Sequence, residues 1–197
     1  MKLQSFIFIG RSGCGKGTQI KLLMDALKKK DPEHDILYIY TGQEFRKFIK
    51  GESATQKVSK VLYETGGLMP EFLTVHMWAT PLIENYKGNQ HLIFDGTPRK
   101  FHEAGVLNSI FNFYGLEKPW VVHLEISPEE AMKRLSLRQR LDDKEEDVTK
   151  RLAWYKTDVE PTIEYYKGNP NYNFLQIDGQ RTPEAIHEDI VKIVGLV

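Results

Sequence analysis

One decapeptide constrains this chain more than any other feature: Gly10-Arg11-Ser12-Gly13-Cys14-Gly15-Lys16-Gly17-Thr18-Gln19. It lies between an apolar run, Ser5 to Ile9, that reads as a buried strand, and a stretch from Gln19 to Leu27 whose apolar residues recur at helical spacing. Gly10 and Gly15 stand five apart, a lysine follows the second, and a hydroxyl comes close behind, which is the outline of a phosphate-cradling loop. Glycine lets the backbone take positive φ and turn its N–H groups toward phosphate oxygens. Lys16 adds a compact cation, and the helix that follows points the positive end of its dipole at the anion. The other reading of the spacing is a glycine-rich turn without a ligand, and the flanking strand and helix weigh against it.

Apolar or β-branched runs recur at Phe6 to Ile9, Ile36 to Tyr40, His91 to Phe94, Trp120 to Ile126 and Asn173 to Ile177, with helical patterns between them. That alternation predicts a parallel α/β sheet. Helix starts are marked at Ser127-Pro128-Glu129-Glu130, which combines an N-cap, a proline at the first helical position and a capping-box glutamate, and at Thr182-Pro183-Glu184. With 197 residues the chain supports one substantial core, so a single domain with movable inserts is expected.

In a doubly wound sheet, ligands bind beyond the carboxyl ends of the strands. There the chain carries Thr41-Gly42 with Arg46 after the second run, and Asp95-Gly96-Thr97-Pro98-Arg99 after the third. An aspartate that ends an apolar run can hold Mg2+ through water beside substrate phosphates, or it can be an ordinary turn or N-cap aspartate. Arg46 and Arg99 suit phosphate, because a guanidinium donates two parallel bonds and stays charged. Arg134, Arg138, Arg140 and Arg151 follow, with Arg134 and Arg138 on one helix face. A solvated charged face, balanced by Asp142, Asp143, Glu145 and Glu146, is the other reading of that stretch.

Lys plus Arg equal Asp plus Glu at 27 each, so no global basic field attracts nucleic acid or anionic membranes. A single cysteine, Cys14, excludes an intrachain disulfide and a Cys-rich zinc site and fits a reducing compartment. Met1 to Gln4 leads into an apolar run too short for a secretory signal, and no stretch approaches a membrane span. A soluble, cytoplasmic, monomeric protein is the expectation. Cys14 reads as a small side chain tolerated by the loop, Trp154-Tyr155 and Tyr165-Tyr166 read as core packing, and the six histidines show no metal spacing.

One detail of the loop narrows the field: Gly17 stands between Lys16 and Thr18, where the commonest form has Ser or Thr directly after the lysine. The Gly-Lys-Gly-Thr-Gln ending resembles the loop of adenylate kinases and related nucleoside monophosphate kinases, with Ser12 where that family usually has proline. The resemblance runs nearly end to end. It implies a P-loop three-layer α/β fold: a central parallel five-stranded sheet flanked by helices, with core 1–41, 74–137 and 152–197. It also implies a helical insert for the monophosphate at about 42–73 and a very short lid at about 138–151, since only Gln139 separates Arg138 from Arg140.

The resemblance implies roles residue by residue. Gly13, Cys14, Gly15, Lys16, Gly17 and Thr18 would hold the ATP phosphates, Asp95 would hold Mg2+ through water, and Thr18 is a further candidate for the metal. Thr41 and Arg46 look like the monophosphate-binding turn, and Gly67-Leu68-Met69-Pro70-Glu71 like the segment that closes over the base. Asp95-Gly96-Thr97-Pro98-Arg99 is similar to the family's Asp-Gly-Phe-Pro-Arg, with Thr97 in place of the aromatic. Arg134 matches the arginine against the ATP base, Arg138 the lid arginine for ATP phosphates, and Arg140 and Arg151 those spanning the transferred group. The loop Asp178-Gly179-Gln180-Arg181 would touch the ATP adenine. The catalytic set implied is Lys16, Arg99, Arg138, Arg140 and Arg151, and the activity implied is Mg2+-assisted in-line transfer from ATP to a nucleoside monophosphate.

The family's base-reading glutamine falls four residues after Arg99, where this chain has Glu103. An ionised carboxylate only accepts hydrogen bonds, so facing adenine N1 it would leave groups unpaired at a cost of about 1–3 kcal/mol, whereas guanine offers two donors on that edge. Thr41, the residue adenylate kinases use, favours AMP. AMP is the expected acceptor, with GMP or another monophosphate as the alternative if Glu103 reads the base; Glu103 turned to solvent, or protonated, removes the conflict. Two further readings are a nucleotide-responsive binding protein with little catalysis and a kinase of a small metabolite. The second shares the loop but leaves Thr41-Gly42, Arg46 and Gly67-Leu68-Met69 unexplained.

Overall fold

In a computed structural model, the described residues are 1–138 and 145–196, with Arg138 and Glu145 described by backbone alone. The chain runs β1 (Ser5–Ile9), α1 (Lys16–Lys30), β2 (Asp35–Tyr40), α2 (Thr41–Phe48), α3 (Ala54–Glu64), α4 (Glu71–Asn85), β3 (Gln90–Asp95), α5 (Phe101–Phe113) and β4 (Trp120–Glu125). It continues through α6 (Pro128–Arg138), α7 (Glu145–Trp154), a π-helical turn (Tyr155–Val159), α8 (Glu160–Lys167), β5 (Asn173–Asp178) and α9 (Pro183–Ile193). Both predicted caps are present: Ser127 Oγ accepts from Glu130 N at 3.1 Å, and Thr182 Oγ1 accepts from Ala185 N at 3.3 Å.

All strand pairs are parallel, in the order β2-β3-β1-β4-β5. The chain builds β2 and β3 on one side of β1 and then passes to β4 on the other, so the topological switch lies at β1. At that point the connections leave the sheet in opposite directions and open a crevice between the loops after β1 and β3. The five-stranded parallel sheet of the sequence reading is therefore present, and the phosphate-type loop sits at its natural binding crevice.

β1 is buried throughout, and its side chains alternate between the two faces of the sheet. Phe6 and Phe8 join Leu23 and Leu27 of α1 and Ile186 and Ile190 of α9, while Ile7 and Ile9 join Trp78 and Leu82 of α4, Leu107 of α5 and Tyr166 of α8. Helices thus cover both faces, and truncating a fully buried leucine such as Leu23 to alanine would cost roughly 2–5 kcal/mol. A third, smaller cluster, Phe45, Met69, Leu73 and Met77, holds α2 and the segment before α4 together. Because α4 contributes Leu73 and Met77 to that cluster and Trp78 and Leu82 to the main core, one helix crosses the boundary drawn near residue 73. Among the described residues, no helix is long and apolar enough to cross a membrane.

Candidate functional site

A cavity of about 960 Å³ opens at the carboxyl ends of the strands. The β1–α1 loop forms one wall, from Ser12 to Thr18. Gly15, the residue before α1, has φ 98, a left-handed conformation that costs glycine nothing and turns the chain sharply into the helix. Lys16 spans this loop from within: its Nζ donates to Gly10 O at 2.8 Å and Arg11 O at 3.1 Å, with Cys14 Sγ at 3.4 Å. The ammonium therefore stands at the cavity wall with its flexible stem already drawn across the cradle. Cys14 is buried beneath the loop as part of the sheet core, which agrees with its reading as a packed side chain.

On the adjacent strand, Asp95 ends β3 beside Phe8 of β1 and is 4 % exposed, with its Oδ2 accepting from Tyr38 of β2 at 2.8 Å. Burial, together with the Asp95 charge, pushes the Tyr38 hydroxyl well above its ordinary pKa, so it stays a donor. Arg99 donates from Nε to Gly96 O at 3.0 Å, which folds its side chain back over its own turn, and Arg46 stacks on the Tyr40 ring at 4.9 Å. Arg134 is braced by Glu130 at 2.6 Å and Arg181 by Asp189 at 2.6 Å. Arg151 is 8 % exposed, and its Nε donates to Asp147 O at 3.4 Å. Arg46, Arg99, Arg134, Arg151 and Arg181 all line the same cavity as Lys16, joined by Gly42, Gly67, Met69 and Gly96.

Cations from six separate elements and loops facing one space suit a polyanion, and the positive N-terminus of α1 adds to the attraction. The site also suits a hard cation: the Asp95 carboxylate and the hydroxyl of the exposed Thr18 are oxygen ligands lining the same cavity, the chemistry Mg2+ prefers.

Several expected residues lie elsewhere. Thr41 is the first residue of α2 rather than part of a free turn; it is buried and its Oγ1 has no hydrogen-bond partner. Leu68 and Thr97 do not line the cavity, Thr97 being buried, and Pro98 lines a small neighbouring cavity of about 40 Å³ with Lys16 and Arg99. The peptide bond between Thr97 and Pro98 is cis. The Arg138 side chain and the whole of Arg140 lie outside the described residues.

Glu103 needs correction. It neither lines the cavity nor meets solvent, being 1 % exposed, and its Oε2 accepts from Arg99 N at 2.8 Å and Lys100 N at 3.5 Å. The donors are the N-cap of α5, Lys100, and the residue before it, and the carboxylate at the third helical position reaches back to satisfy them. Burial pushes the Glu103 carboxyl above its ordinary pKa.

Trp154 packs against the second core cluster as expected but also lines the cavity, while its neighbour Tyr155 is fully part of that core. Arg11 was not singled out at all. It donates to Glu160 at 3.1 Å and Ile126 O at 3.1 Å and lies 4.3 Å from the Tyr155 ring centroid, pinning the loop to β4 and α8. The only signal for it in the sequence is a long cation inside a run of small residues.

Two histidines without metal spacing in sequence do meet in space. His34 and His91 both contact Asp31, at 2.9 and 3.3 Å, near the opposite end of the sheet from the cavity. Gln4 N donates to His91 Nδ1 at 3.1 Å, which puts the His91 proton on Nε2, facing Asp31. That nitrogen has no lone pair for a metal, and the group is a hydrogen-bonded clamp.

A family model described as "Adenylate kinase" matches residues 8–171 of the chain. The adenylate kinase of Bacteroides fragilis is 34 % identical over 194 residues, which are 96 % of this chain and 97 % of that protein. The adenylate kinase of Phocaeicola vulgatus is 32 % identical over 194 residues, with 96 % and 97 % covered. That of Prochlorococcus marinus strain MIT 9301 is 33 % identical over 184 residues, with 93 % and 94 % covered.

Proposed function

The chain belongs to the adenylate kinase family and is a nucleoside monophosphate kinase, and from that premise we propose that it moves the γ-phosphoryl group of ATP reversibly to AMP, giving two ADP. The observation that carries this reading is the convergence of Lys16, Arg46, Arg99 and Arg151 on one cavity that also holds Asp95.

Transfer between two phosphates needs no side-chain nucleophile, only positioning and charge stabilisation. Lys16 and the loop amides hold the donor phosphates. Arg46 and Arg99 hold the acceptor phosphate, while Arg151 meets the charge on the transferring group, joined by Arg138 and Arg140. Arg134 and the loop carrying Arg181 flank the ATP base. When bound through Asp95, with Thr18 beside it, Mg2+ supplies charge neutralisation at the donor phosphates. The single cysteine suits a reducing compartment such as the cytoplasm.

Adenine as the acceptor base is supported by the geometry of Glu103. The GMP alternative rests on a carboxylate presented to the base, and this one is buried away from the cavity, with Oε2 held by Arg99 N and Lys100 N and Oε1 left without a partner. Initial rates with ATP and a panel of AMP, GMP, CMP, UMP and dTMP test the reading. AMP is expected to exceed every other acceptor by at least about 10-fold in kcat/KM. An equal or higher value for GMP would overturn it.

A further inference from the structure

One side of α7 carries Asp147, Lys150, Arg151 and Trp154, spaced i, i+3, i+4 and i+7 along the helix. Against that face sits the turn after α3. Lys150 Nζ donates to Thr65 O at 3.0 Å, and Trp154 Nε1 donates to Gly66 O at 3.1 Å. Gly66 has φ 68, and a Cβ there would come within 2.7 Å of Asp147 O, so only glycine allows the turn to approach this closely. The carbonyls at a helix end have no partner within the helix, and α7 supplies donors for these two. Gly66 leads directly into Gly67 and Met69, which line the cavity.

Trp154 does a second thing. The Arg99 guanidinium lies 5.4 Å from its ring centroid, and tryptophan presents the most favourable aromatic face to a cation. One side chain therefore touches both halves of the acceptor site: the segment on one wall and the arginine proposed for the acceptor phosphate on the other.

We propose that Trp154 is a positioning residue for the acceptor, its indole N–H holding the 66–69 segment and its ring face seating Arg99, so that it sets the spacing between base wall and phosphate arginine. This rests on the reading that the monophosphate occupies this part of the cavity. An indole offers one donor and a broad π face, and the two contributions separate by substitution. Trp154→Phe keeps the ring and loses the donor, and Trp154→Leu loses both.

The test compares the full-length chain with Trp154→Phe, Trp154→Leu and Gly66→Ala, the last disturbing the same contact from the insert side. Calorimetric titration with AMP alone and steady-state rates at varied AMP and ATP are read for each. Trp154→Phe is expected to weaken AMP binding and raise the KM for AMP about 3- to 10-fold, the scale of one hydrogen bond, with the KM for ATP within about twofold. Gly66→Ala should reproduce that selectivity, and Trp154→Leu should add a fall in kcat of about 10-fold as Arg99 loses its platform. AMP-dependent change in tryptophan fluorescence should vanish in Trp154→Phe. Unchanged AMP affinity in Trp154→Phe, or KM values for AMP and ATP that rise together, would overturn the proposal. Because AMP affinity is measured without turnover, an inactive parent chain that still binds AMP would refute the catalytic reading and leave this comparison intact.

Discussion

Tyr38 donates its hydroxyl hydrogen to Asp95 Oδ2 at 2.8 Å, so the carboxylate at the end of β3 is held from the neighbouring strand β2. The bond orients one oxygen of a carboxylate that lines the cavity. Tyr38→Phe removes the donor with little change in shape. The expected outcome is a kcat about 10-fold lower and a higher Mg2+ concentration for half-maximal rate, with Tm within a few degrees of the parent. A Mg2+ titration of the rate checks it, and an unchanged half-maximal concentration would remove Tyr38 from any part in holding Asp95.

Lys16 ties Gly10 O and Arg11 O together, and in the proposed reading the same ammonium meets the donor phosphates. Lys16→Met should therefore reduce kcat/KM by about 10³ or more, by the measure of other cations placed on a transferring phosphoryl group, while leaving far-UV circular dichroism unchanged. A near-normal rate would overturn the assignment of the loop.

Glu103 gives a prediction with a defined sign. Burial raises its folded pKa above the ordinary 4.5, so between those two values the folded chain binds more protons than the unfolded one and stability falls as pH rises. Stability linked to this group is complete below about pH 4.5 and is lost through the raised value. Glu103→Gln cannot ionise, and its stability relative to the parent should grow from about pH 4 to neutrality in urea unfolding. Its KM for AMP should stay within about twofold, because the side chain faces the α5 backbone and not the cavity.

The contrast between Glu103 and Asp95 shows how far the chain was legible as sequence. Periodicity placed all five strands because a buried parallel strand has no polar face to confuse the pattern, and the Gly-Lys loop followed because glycine conformation and cation position are written locally. Lys16, Arg46, Arg99 and Asp95 stand out by their place after a strand, Arg134 by its helix face and Arg151 by the family resemblance, and all reach the cavity. What escaped was decided by tertiary direction. Glu103 turned to backbone amides three and four residues back, Trp154 turned to a carbonyl 88 residues away, and Arg11 was captured by β4 and α8. Hydrophobic spacing marks a residue as apolar-facing but carries no information on which long-range polar partner its one donor will meet.

The lid gives a kinetic prediction. The family resemblance implies a very short lid at about 138–151, since only Gln139 separates Arg138 from Arg140 in sequence. A short cover excludes less water from the transferring group, and closure is what protects that group from hydrolysis. ATP hydrolysis without acceptor should be measurable, at about 1 % of the kinase rate or more, by phosphate release. A background far below that would show that the short connection seals the cleft as well as a longer one.

His123 provides the acid-side counterpart to Glu103. It is 5 % exposed on β4, its Nε2 lies 3.2 Å from the Tyr155 hydroxyl, and its Nδ1 has no partner. Burial pushes its pKa down from 6.5 to about 4. Between those values the unfolded chain binds the proton that the folded chain refuses, so stability is complete above about pH 6.5 and falls as pH drops toward 4. A depression of that size corresponds to about 3 kcal/mol across the window. Burial pushes His91 and His187 the same way, so the parent's whole acid slope is not the measure. The measure is the difference: His123→Gln keeps a polar group opposite Tyr155 without titrating there, and its loss of stability between about pH 7 and pH 4 should be smaller than the parent's by about that amount. Urea unfolding along the pH series reads it directly, and parallel curves for the two proteins would show that His123 carries its charge in the folded chain.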